Sequence, residues 1–269
     1  MIDNARLEEL IENVRANRKY GSISTHLIRR LSEDAISKGL SGKTAVKAVR
    51  NKLHQVGGAY FKQNMDYDEA KQILADLPHD LQDEETRQFC LKYMRTHTST
   101  AERLPILDTF FQTCLAPIQP VTSVLDLACG MNPLALPWMP LDGDFIYQAC
   151  DIYLDMLDLI GSFFAHFDMD AQTYPCDLVG KVPPQHADVA FLLKSIPCLE
   201  QVDKSIGLPL LETIRADHIL VSFPVRSIGG RKKGMPDFYR DHFYEMISGK
   251  PWEIQEFEFH SELAFLVTK

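Results

Sequence analysis

The first hundred residues show the hydrophobic periodicity of amphipathic helices. A second helix is predicted to run from Thr25, its candidate N-cap, to Gly39, and a third to span residues 43–56. One or two further helices are predicted within 66–110, and residues 99–102 match the S-x-x-E capping box. In the first helix, four apolar residues recur at helical spacing and are expected to share one buried face: Leu7, Leu10, Ile11 and Val14.

From about residue 121 the pattern changes to short β-rich runs that alternate with segments of helix length. Such alternation predicts right-handed β-α-β crossovers and a mostly parallel sheet with helices on both faces. Only about two residues separate the last two runs, which are therefore expected to form an antiparallel hairpin at a sheet edge. The runs are VTSVLDLAC (121–129), DFIYQACDI (144–152), DAQTYPCDL (170–178), ADVAFLLKSI (187–196), HILVSFPV (218–225), WEIQEFEF (252–259) and ELAFLVTK (262–269).

Charge is distributed unevenly along the chain. The net charge is −9, yet residues 1–62 hold 12 Lys/Arg and 6 Asp/Glu, which gives +6, and the remainder carries −15. A basic module joined to an acidic body favours nucleic-acid recognition by the basic part, and a solvated helical face is the alternative interpretation. Four residues of the third helix are predicted to bind RNA: Lys43, Lys47, Arg50 and Lys52.

The composition is that of a globular protein, with 45% hydrophobic and 24% charged residues. No apolar run reaches the roughly 18 residues that a membrane span requires. The acidic, amphipathic N-terminus is unlike a signal or transit peptide. Six cysteines lie far apart without a C-x-x-C pair, and we expect reduced thiols rather than disulfides or zinc ligands. These features indicate a cytoplasmic protein without a metal site. We also expect that it requires no oligomer.

Three aspartates follow successive predicted strands: Asp126, Asp151 and Asp177. Ligands of open α/β sheets bind at the carboxyl ends of the strands, so the three carboxylates are expected to form a single cradle. Asp151 is positioned to accept the ribose hydroxyls of a nucleoside, and Asp177 the amino group of an adenine. Gly130 allows close approach of the backbone to a ligand. Each aspartate taken alone could instead cap a turn.

A parallel sheet completed by an antiparallel hairpin is the layout of Rossmann-like methyltransferases that depend on S-adenosylmethionine (SAM). We therefore predict an α/β fold with a Rossmann-like SAM-dependent methyltransferase sheet and an antiparallel edge hairpin, preceded by a small α-helical N-terminal domain. Residues 1–100 are predicted to form a helical RNA-recognition domain, and residues 101–269 the methyltransferase domain.

Several motifs resemble those of the aminoglycoside-resistance 16S rRNA methyltransferases, the Arm/Rmt family, which modify guanine N7 in the ribosomal decoding site. They are LDLACGMNPLAL (125–136), CDI (150–152), LLKSIPCLE (192–200), VSFPVRSIGGRKKGM (221–235), HTSTAERL (97–104) and AVRNKLHQVGGAY (48–60). The resemblance covers most of the chain from about residue 40. Its most specific parts are the Asn-Pro turn and the Ser-Phe-Pro-x-Arg-Ser-x-Gly-Gly-Arg loop.

The resemblance implies SAM as the cofactor and 16S rRNA within the 30S ribosomal subunit as the substrate. It implies that Arg103 pairs with the methionine carboxylate of SAM. Asp151 and Ile152 would hold the ribose, and Asp177 and Leu178 the adenine. The full set of implied cofactor-binding residues is His97, Arg103, Gly130, Asp151, Ile152, Asp177 and Leu178.

Residues 222–235, SFPVRSIGGRKKGM, form a glycine-rich loop that is expected to leave the fifth strand beside the same pocket. Its cations lie in an otherwise acidic body and suggest phosphate contacts, although a solvated loop is the alternative. Arg226, Arg231 and Met235 are predicted to orient the displaced base. The residues of this loop predicted to bind RNA are Arg226, Ser227, Arg231, Lys232 and Lys233.

The implied reaction needs no general base, because guanine N7 carries a free lone pair and SAM supplies an activated methyl group. Catalysis is then expected to rest on alignment and the exclusion of water, where orientation alone can contribute roughly 7–11 kcal/mol. Two alternatives stay open: methylation of another RNA or of a small molecule, and a SAM- or RNA-binding module without turnover. The basic N-terminal helices argue against a small substrate, and the intact pocket set argues against a module without turnover.

Overall fold

A seven-stranded mixed sheet organises the chain from residue 123 onward. In this computed structural model, which describes residues 3–55, 65–141, 143–225 and 235–269, the strand order is β3-β2-β1-β4-β5-β7-β6. The first five strands are parallel, and β7 is antiparallel to both of its neighbours. The strands are β1 (Ser123–Leu127), β2 (Ile146–Asp151), β3 (Ala171–Pro175), β4 (Ala187–Leu193), β5 (Ala216–Pro224), β6 (Glu253–Glu258) and β7 (Glu262–Thr268).

Each strand overlaps one of the seven β-rich runs, so the predicted sheet and its edge hairpin are confirmed. The two-residue period of a strand sends successive side chains to opposite faces. In β1, Val124 joins the hydrophobic cluster on one face, whereas Leu125 and Leu127 join the cluster on the other. Because both faces of the central strands are covered, β4 reads as a nearly continuous apolar run.

The N-terminal helices are α1 (Asn4–Arg15), α2 (Arg18–Gly21), α3 (Thr25–Ser37) and α4 (Gly42–Leu53). The helices predicted from 3.6-residue spacing are confirmed, and the four apolar residues of α1 are buried as expected. Ser24, rather than Thr25, occupies the position before the first turn of α3. These helices enclose a hydrophobic cluster of their own, which Ile152 and Tyr153 of the sheet region contact.

Within the described residues 65–122, four α-helices precede the sheet, more than the one or two predicted: α5 (Tyr67–Ala75), α6 (Glu84–Met94), α7 (Thr98–Arg103) and α8 (Leu107–Leu115). The buried apolar residues of α5, α6 and α8, including Leu74 and Phe110, belong to the same hydrophobic cluster as Val124 of β1. The division of the chain at residue 100 stays a prediction, and the packing groups residues 70–115 with the sheet. The capping-box prediction is wrong, because α7 begins at Thr98 without a side-chain cap.

A short antiparallel bridge joins the N-terminal helices to the sheet region. Ile23 pairs with Tyr153, the Ser24 amide donates to the Ile152 carbonyl at 2.8 Å, and the Leu154 amide donates to the Ser22 carbonyl at 2.8 Å. The backbone that follows β2 is thereby fixed to the segment that begins α3.

The other α-helices in the described residues are α9 (Leu154–His166), α10 (Ile196–Leu199), α11 (Gly207–Thr213) and α12 (Met235–Met246). Short 3-10 segments cover Leu104–Ile106, Ala116–Ile118 and Asn132–Trp138. No helix in the described parts of the chain has the length and apolar character needed to cross a membrane.

Candidate functional site

A cleft opens at the carboxyl ends of the parallel strands, where the strand order reverses between β1 and β4. It encloses about 860 Å³ of space, part of which is open to solvent. Six of the seven predicted cofactor-binding residues line it: His97, Arg103, Asp151, Ile152, Asp177 and Leu178. The seventh, Gly130, follows the lining residue Cys129. The structure therefore brings the predicted set together, and its role in binding stays a prediction.

Asp151 is held by backbone amides at the end of β2. Its Oδ2 accepts from the Gly130 amide at 2.9 Å, and its Oδ1 accepts from the Ile152 amide at 2.6 Å. Burial raises the pKa of this carboxyl above its usual value, and the amide hydrogen bonds act in the opposite direction. The two amides fix the carboxylate in one orientation, which is what recognition of a pair of hydroxyl groups requires.

Gly130 is required at its position for two physical reasons. Its φ of +52° lies in the left-handed region that favours glycine. A Cβ added there would lie 2.5 Å from Cε1 of His97, so the histidine ring packs directly on the glycine backbone. Burial, with Arg103 and Lys194 nearby, lowers the pKa of His97 to about 4, and the ring is therefore neutral at pH 7.

Asp177 lies two residues beyond β3 and forms an ion pair with Arg30 of α3. Arg30 donates from Nε to Oδ2 at 2.5 Å and from Nη2 to Oδ1 at 3.0 Å, a two-pronged contact. Leu27 and Arg30 both line the cleft, so helix α3 forms part of its wall. Sequence reasoning placed Asp177 at the adenine but did not foresee this partner, which lies 147 residues away in the chain.

Arg103 is fully buried between the cleft and the sheet edge. Its Nη2 donates to Glu262 Oε1 at 2.6 Å, its Nε bonds the same carboxylate, and its Nη1 donates to Asn132 Oδ1 at 2.8 Å. Its guanidinium also lies 4.8 Å from the centroid of the Phe110 ring. These bonds leave part of the five-donor guanidinium for a further acceptor, such as a ligand carboxylate.

Lys194 adds a second buried cation beside Arg103. Its Nζ lies 3.1 Å from Glu102 Oε2 and 3.2 Å from Glu262 Oε2, and it donates to the Ser99 carbonyl at 3.4 Å. Glu102 therefore forms an ion pair with Lys194 and takes no part in a capping box. Glu262 is wholly buried, and although burial opposes its ionisation, the neighbouring Arg103 and Lys194 hold its pKa below the usual value.

The prediction that Asp126 borders the cleft is wrong. Asp126 lies inside β1, is 1% exposed and is absent from the cleft lining. Its Oδ2 accepts from Tyr147 Oη and from Asn132 Nδ2, each at 2.8 Å. Asn132 in turn accepts from Arg103, so Asp126 acts one layer below the cleft by orienting the residue that bonds Arg103. Spacing along the chain does not distinguish a strand tip from the residue just inside it.

The burial of Asp126 beneath the cleft can be tested through the pH dependence of protein stability. Burial raises its pKa from 3.8 to about 7, so the folded protein binds this proton more tightly than the unfolded chain does. The stability of the native protein should therefore fall as pH rises from about 4 to about 7 on account of this group. Asp126→Asn cannot titrate, and its free energy of unfolding relative to the native protein should rise between pH 5 and pH 8, measured by urea unfolding.

Asp188→Asn is the matched control for that comparison. Asp188 accepts from the Thr122 and Ser123 amides, and these hydrogen bonds lower its pKa below the usual value, so it stays ionised over the tested range. Its effect on stability should be the same at pH 5 and pH 8. If the Asp126→Asn difference is also constant across this range, the carboxyl is not protonated in the folded state and the assignment fails.

Ser195 gives an independent indication that the cleft receives a polar ligand. Its Oγ is buried and has no hydrogen-bond partner in the part of the chain that the structure describes, and the residue lines the cleft. A buried hydroxyl without a partner costs free energy unless a ligand or water satisfies it. Together with the oriented carboxylate of Asp151 and the spare donors of Arg103, this lining fits the hydroxyl, amino and carboxylate groups of SAM.

The residues of α4 predicted to bind RNA differ in their surroundings. Lys43 and Lys47 are exposed and border a shallow groove with α1. Arg50 also borders that groove, but its guanidinium donates to the Asn13 carbonyl at 2.6 Å and so helps to hold α1. Lys52 donates to the Gln201 carbonyl at 3.2 Å and links α4 to the sheet region. Lys43 and Lys47 are thus the α4 cations most open to a polyanion.

The loop residues Arg226, Ser227, Arg231, Lys232 and Lys233 lie outside the described residues. Met235, the last residue of the predicted loop, is half-buried at the start of α12.

No cluster of three metal-ligating side chains occurs in residues 3–55, 65–141, 143–225 and 235–269. All six cysteines are free thiols, and five of them are buried.

Sequence reasoning missed several residues of the site, above all Arg30 and Glu262. Each lies far along the chain from the residue that it bonds: Glu262 is 159 residues from Arg103, and Arg30 is 147 residues from Asp177. Asn132 was visible in the Asn-Pro turn, but its bonds to Arg103 and Asp126 could not be read from that motif. Lys194 immediately follows β4, and its backbone takes a left-handed φ of +56°.

Comparison with known proteins gives a consistent result over nearly the whole chain. A family model described as "Ribosomal RNA methyltransferase (FmrO)" matches residues 16–266. A 16S rRNA (guanine(1405)-N(7))-methyltransferase of Micromonospora rosea is 31% identical over 267 residues, which cover 98% of this chain and 97% of the relative. A relative of the same name from Serratia marcescens is 30% identical, with 98% of each chain covered.

Solved structures show the same similarity. The 16S rRNA methyltransferase RmtF in complex with S-adenosyl-L-homocysteine has a TM-score of 0.82 and 27% identity, with 100% of both chains covered. The 16S rRNA methylase RmtB has a TM-score of 0.79 and 26% identity, with 98% of each chain covered. The likeness therefore extends over the N-terminal helices as well as the sheet.

Proposed function

Because the chain belongs to the FmrO family of ribosomal RNA methyltransferases, we propose that it transfers a methyl group from SAM to N7 of guanine 1405 in the 16S rRNA of the 30S subunit. The observation that carries this proposal is the match in sequence and fold, over almost the full length, to enzymes named for that reaction. The cleft supports it, since a set of residues chosen from the sequence converges there.

Within the cleft, the chain's own side chains divide the recognition of the cofactor among three sites. Asp151 and Ile152 would hold the ribose, Asp177 and Leu178 the adenine, and Arg103 the methionine carboxylate. SAM, when bound, supplies a methyl group already activated by its sulfonium. The protein therefore has to bind, orient and exclude water, and effects of orientation of this kind can contribute roughly 7–11 kcal/mol.

No side chain of the cleft is needed as a general base, because the attacking N7 lone pair is free. His97 is neutral at pH 7, and its ring packs on Gly130. The positive charges of Arg103 and Lys194 are balanced by Glu262 and Glu102, which keeps these cations in fixed positions. We assign the residues of the cleft to positioning and not to proton transfer.

The helical N-terminal domain, residues 1–100, is proposed to contact the rRNA, with Lys43 and Lys47 facing phosphates. The glycine-rich loop is proposed to bind the same RNA through Arg226, Ser227, Arg231, Lys232 and Lys233. Met235 is proposed to contact the displaced base. Modification of this guanine would protect ribosomes from 4,6-disubstituted deoxystreptamine aminoglycosides. The proposed place of action is the cytoplasm, and the reaction requires no metal, membrane or oligomer.

The test is incubation of purified 30S subunits with SAM carrying a labelled methyl group, followed by mapping of the modified nucleotide. The expected result is a single label at N7 of guanine 1405, with free 16S rRNA and small nucleosides unlabelled. A label at another nucleotide, or methylation of a small molecule in place of 30S subunits, would contradict the proposed substrate.

A Lys43→Glu/Lys47→Glu double variant is expected to weaken binding to 30S subunits by about tenfold or more and to leave SAM binding unchanged. Both lysines are exposed on α4, and reversing their charge replaces phosphate attraction with repulsion. The salt dependence of 30S binding should also become shallower, by about one unit of slope for each phosphate that the protein no longer neutralises. Filter binding of labelled 30S subunits at several salt concentrations measures both quantities.

The matched control is Arg215→Glu/Lys250→Glu, which changes the net charge equally. Arg215 immediately precedes β5, and Lys250 pairs with Glu212 at the same edge of the sheet, opposite the cleft. Near-normal binding by this control would assign the effect to position and not to net charge. Equal losses from the two double variants would remove the specific role proposed for α4.

A further inference from the structure

Helix α3 belongs to the N-terminal helices, yet it supplies two residues of the cleft wall, Leu27 and Arg30. Backbone hydrogen bonds as well as side chains attach α3 to the sheet region, because the segment before α3 pairs with the backbone around Tyr153. Arg30 thus lies at the boundary between the helices that carry the basic face and the cleft proposed to hold the cofactor.

The contact between Arg30 and Asp177 is geometrically specific. Arg30 donates from Nε to Oδ2 of Asp177 at 2.5 Å and from Nη2 to Oδ1 at 3.0 Å. The Asp177 side chain is only 11% exposed. In the described part of the chain, the hydrogen bonds to this carboxylate all come from Arg30. The main chain of Asp177 is fixed separately, since its carbonyl accepts from the Gly180 and Lys181 amides at 2.9 Å.

A two-pronged arginine contact leaves a carboxylate able to accept further hydrogen bonds, because two oxygens offer about four lone-pair sites. The contact therefore does not compete with an adenine amino group. It restricts rotation of the carboxylate, which would otherwise turn freely about its last side-chain bond. Recognition of a single amino group depends on that restriction.

We propose that Arg30 is a positioning residue of the cofactor cleft: it holds the Asp177 carboxylate in the orientation that accepts the adenine amino group. This rests on the proposed function, which places the adenine at Asp177. Discrimination for adenine is then set jointly by the sheet, through Asp177, and by the N-terminal helices, through Arg30.

Lysine is not an equivalent residue at this position. Its ammonium is a point charge on a flexible stem and cannot reproduce the planar fork that contacts both oxygens. Arg30→Lys therefore keeps the charge and removes the orientation, which separates the two contributions. The neighbouring Arg29 offers a matched control, because it pairs with Glu8 at 2.6 Å and is absent from the cleft lining.

The experiment compares two ligands by titration calorimetry: S-adenosylhomocysteine and its 6-deamino analogue, in which hydrogen replaces the adenine amino group. The native protein should prefer the first by about 10- to 100-fold, as expected for a hydrogen bond to a charged acceptor. Arg30→Lys should reduce that preference to about threefold or less, as should Asp177→Ala, which removes the acceptor, and Arg29→Lys should retain it. Circular dichroism of each variant verifies that it is folded.

The ratio of the two affinities is the decisive quantity, since a general loss of packing would weaken both ligands alike. If Arg30→Lys retains the native preference, the positioning role is wrong. If the native protein shows no preference, the adenine assignment of Asp177 and the role of Arg30 both fail, while methylation of 30S subunits remains a separate result. If Asp177→Ala loses the preference and Arg30→Lys does not, Asp177 acts without help from Arg30.

Discussion

Asp151→Ala is expected to lower the affinity for S-adenosylhomocysteine by about 100-fold or more. The carboxylate is proposed to accept both ribose hydroxyls, and each hydrogen bond to a charged group contributes about 1.5–3 kcal/mol. Two such bonds amount to about 3 kcal/mol at the least, which corresponds to roughly two orders of magnitude in the dissociation constant. The Gly130 and Ile152 amides would also lose their acceptor, which loosens the turn beside the ligand.

Calorimetric titration measures this affinity, and Asp158→Ala is the control. Asp158 lies on the outer side of α9, is 64% exposed and pairs with Lys71, so its loss should leave ligand binding unchanged. Asp151→Asn should fall between the native protein and the alanine variant, because one of its two oxygens is retained. An unchanged affinity of Asp151→Ala would remove the ribose assignment.

Glu262→Ala is expected to lower the free energy of unfolding by about 3–5 kcal/mol. The carboxylate is wholly buried and faces Arg103, Lys194 and Ser222, which donates to Oε1 at 2.5 Å. Removing one member of a buried ion pair leaves an uncompensated charge, and losses of that size are typical. Chemical denaturation at pH 7 measures the change.

The control for Glu262 is Glu256→Ala on β6. Glu256 pairs with Arg240 at 2.7 Å, but both side chains are partly exposed, so its removal should cost at most about 1 kcal/mol. The pKa of Glu262 is lowered in the folded state, so its contribution is complete above the usual glutamate pKa of about 4.3 and is lost as pH falls below it. Similar small losses in the two variants at pH 7 would contradict the buried-pair assignment.

The elements of this fold were accessible from the sequence because their signals are local. Strands buried on both faces, such as β4, produce continuous apolar runs, and the short connection between β6 and β7 specifies a hairpin. The region before the sheet was harder to interpret. Helices α5 to α8 are short, and α5, α6 and α8 contribute to the hydrophobic cluster on one face of the sheet. Tertiary packing, which the local pattern does not contain, therefore determines where they end.

In the candidate site, too, residues marked by a local pattern could be predicted, whereas contacts between distant residues could not. Asp151 and Asp177 could be found because the first ends a recognisable strand and the second lies two residues beyond one. Asp126 was misplaced because a one-residue difference in strand position separates a cleft residue from one buried beneath it. The ion pairs of Arg30 with Asp177 and of Arg103 with Glu262 join distant parts of the chain, and a single sequence holds no signal for such pairings.

The bridge between Ile23 and Tyr153 has a consequence for protein engineering. A chimera that exchanged the N-terminal helices between two relatives by cutting near residue 100 would replace one side of the bridge and keep the other. The backbone after β2 would then face a foreign segment where it now meets residues 22–24. A graft that is to preserve the cleft must carry residues 22–30 together with their counterparts at 152–154 and 177, whatever else is exchanged.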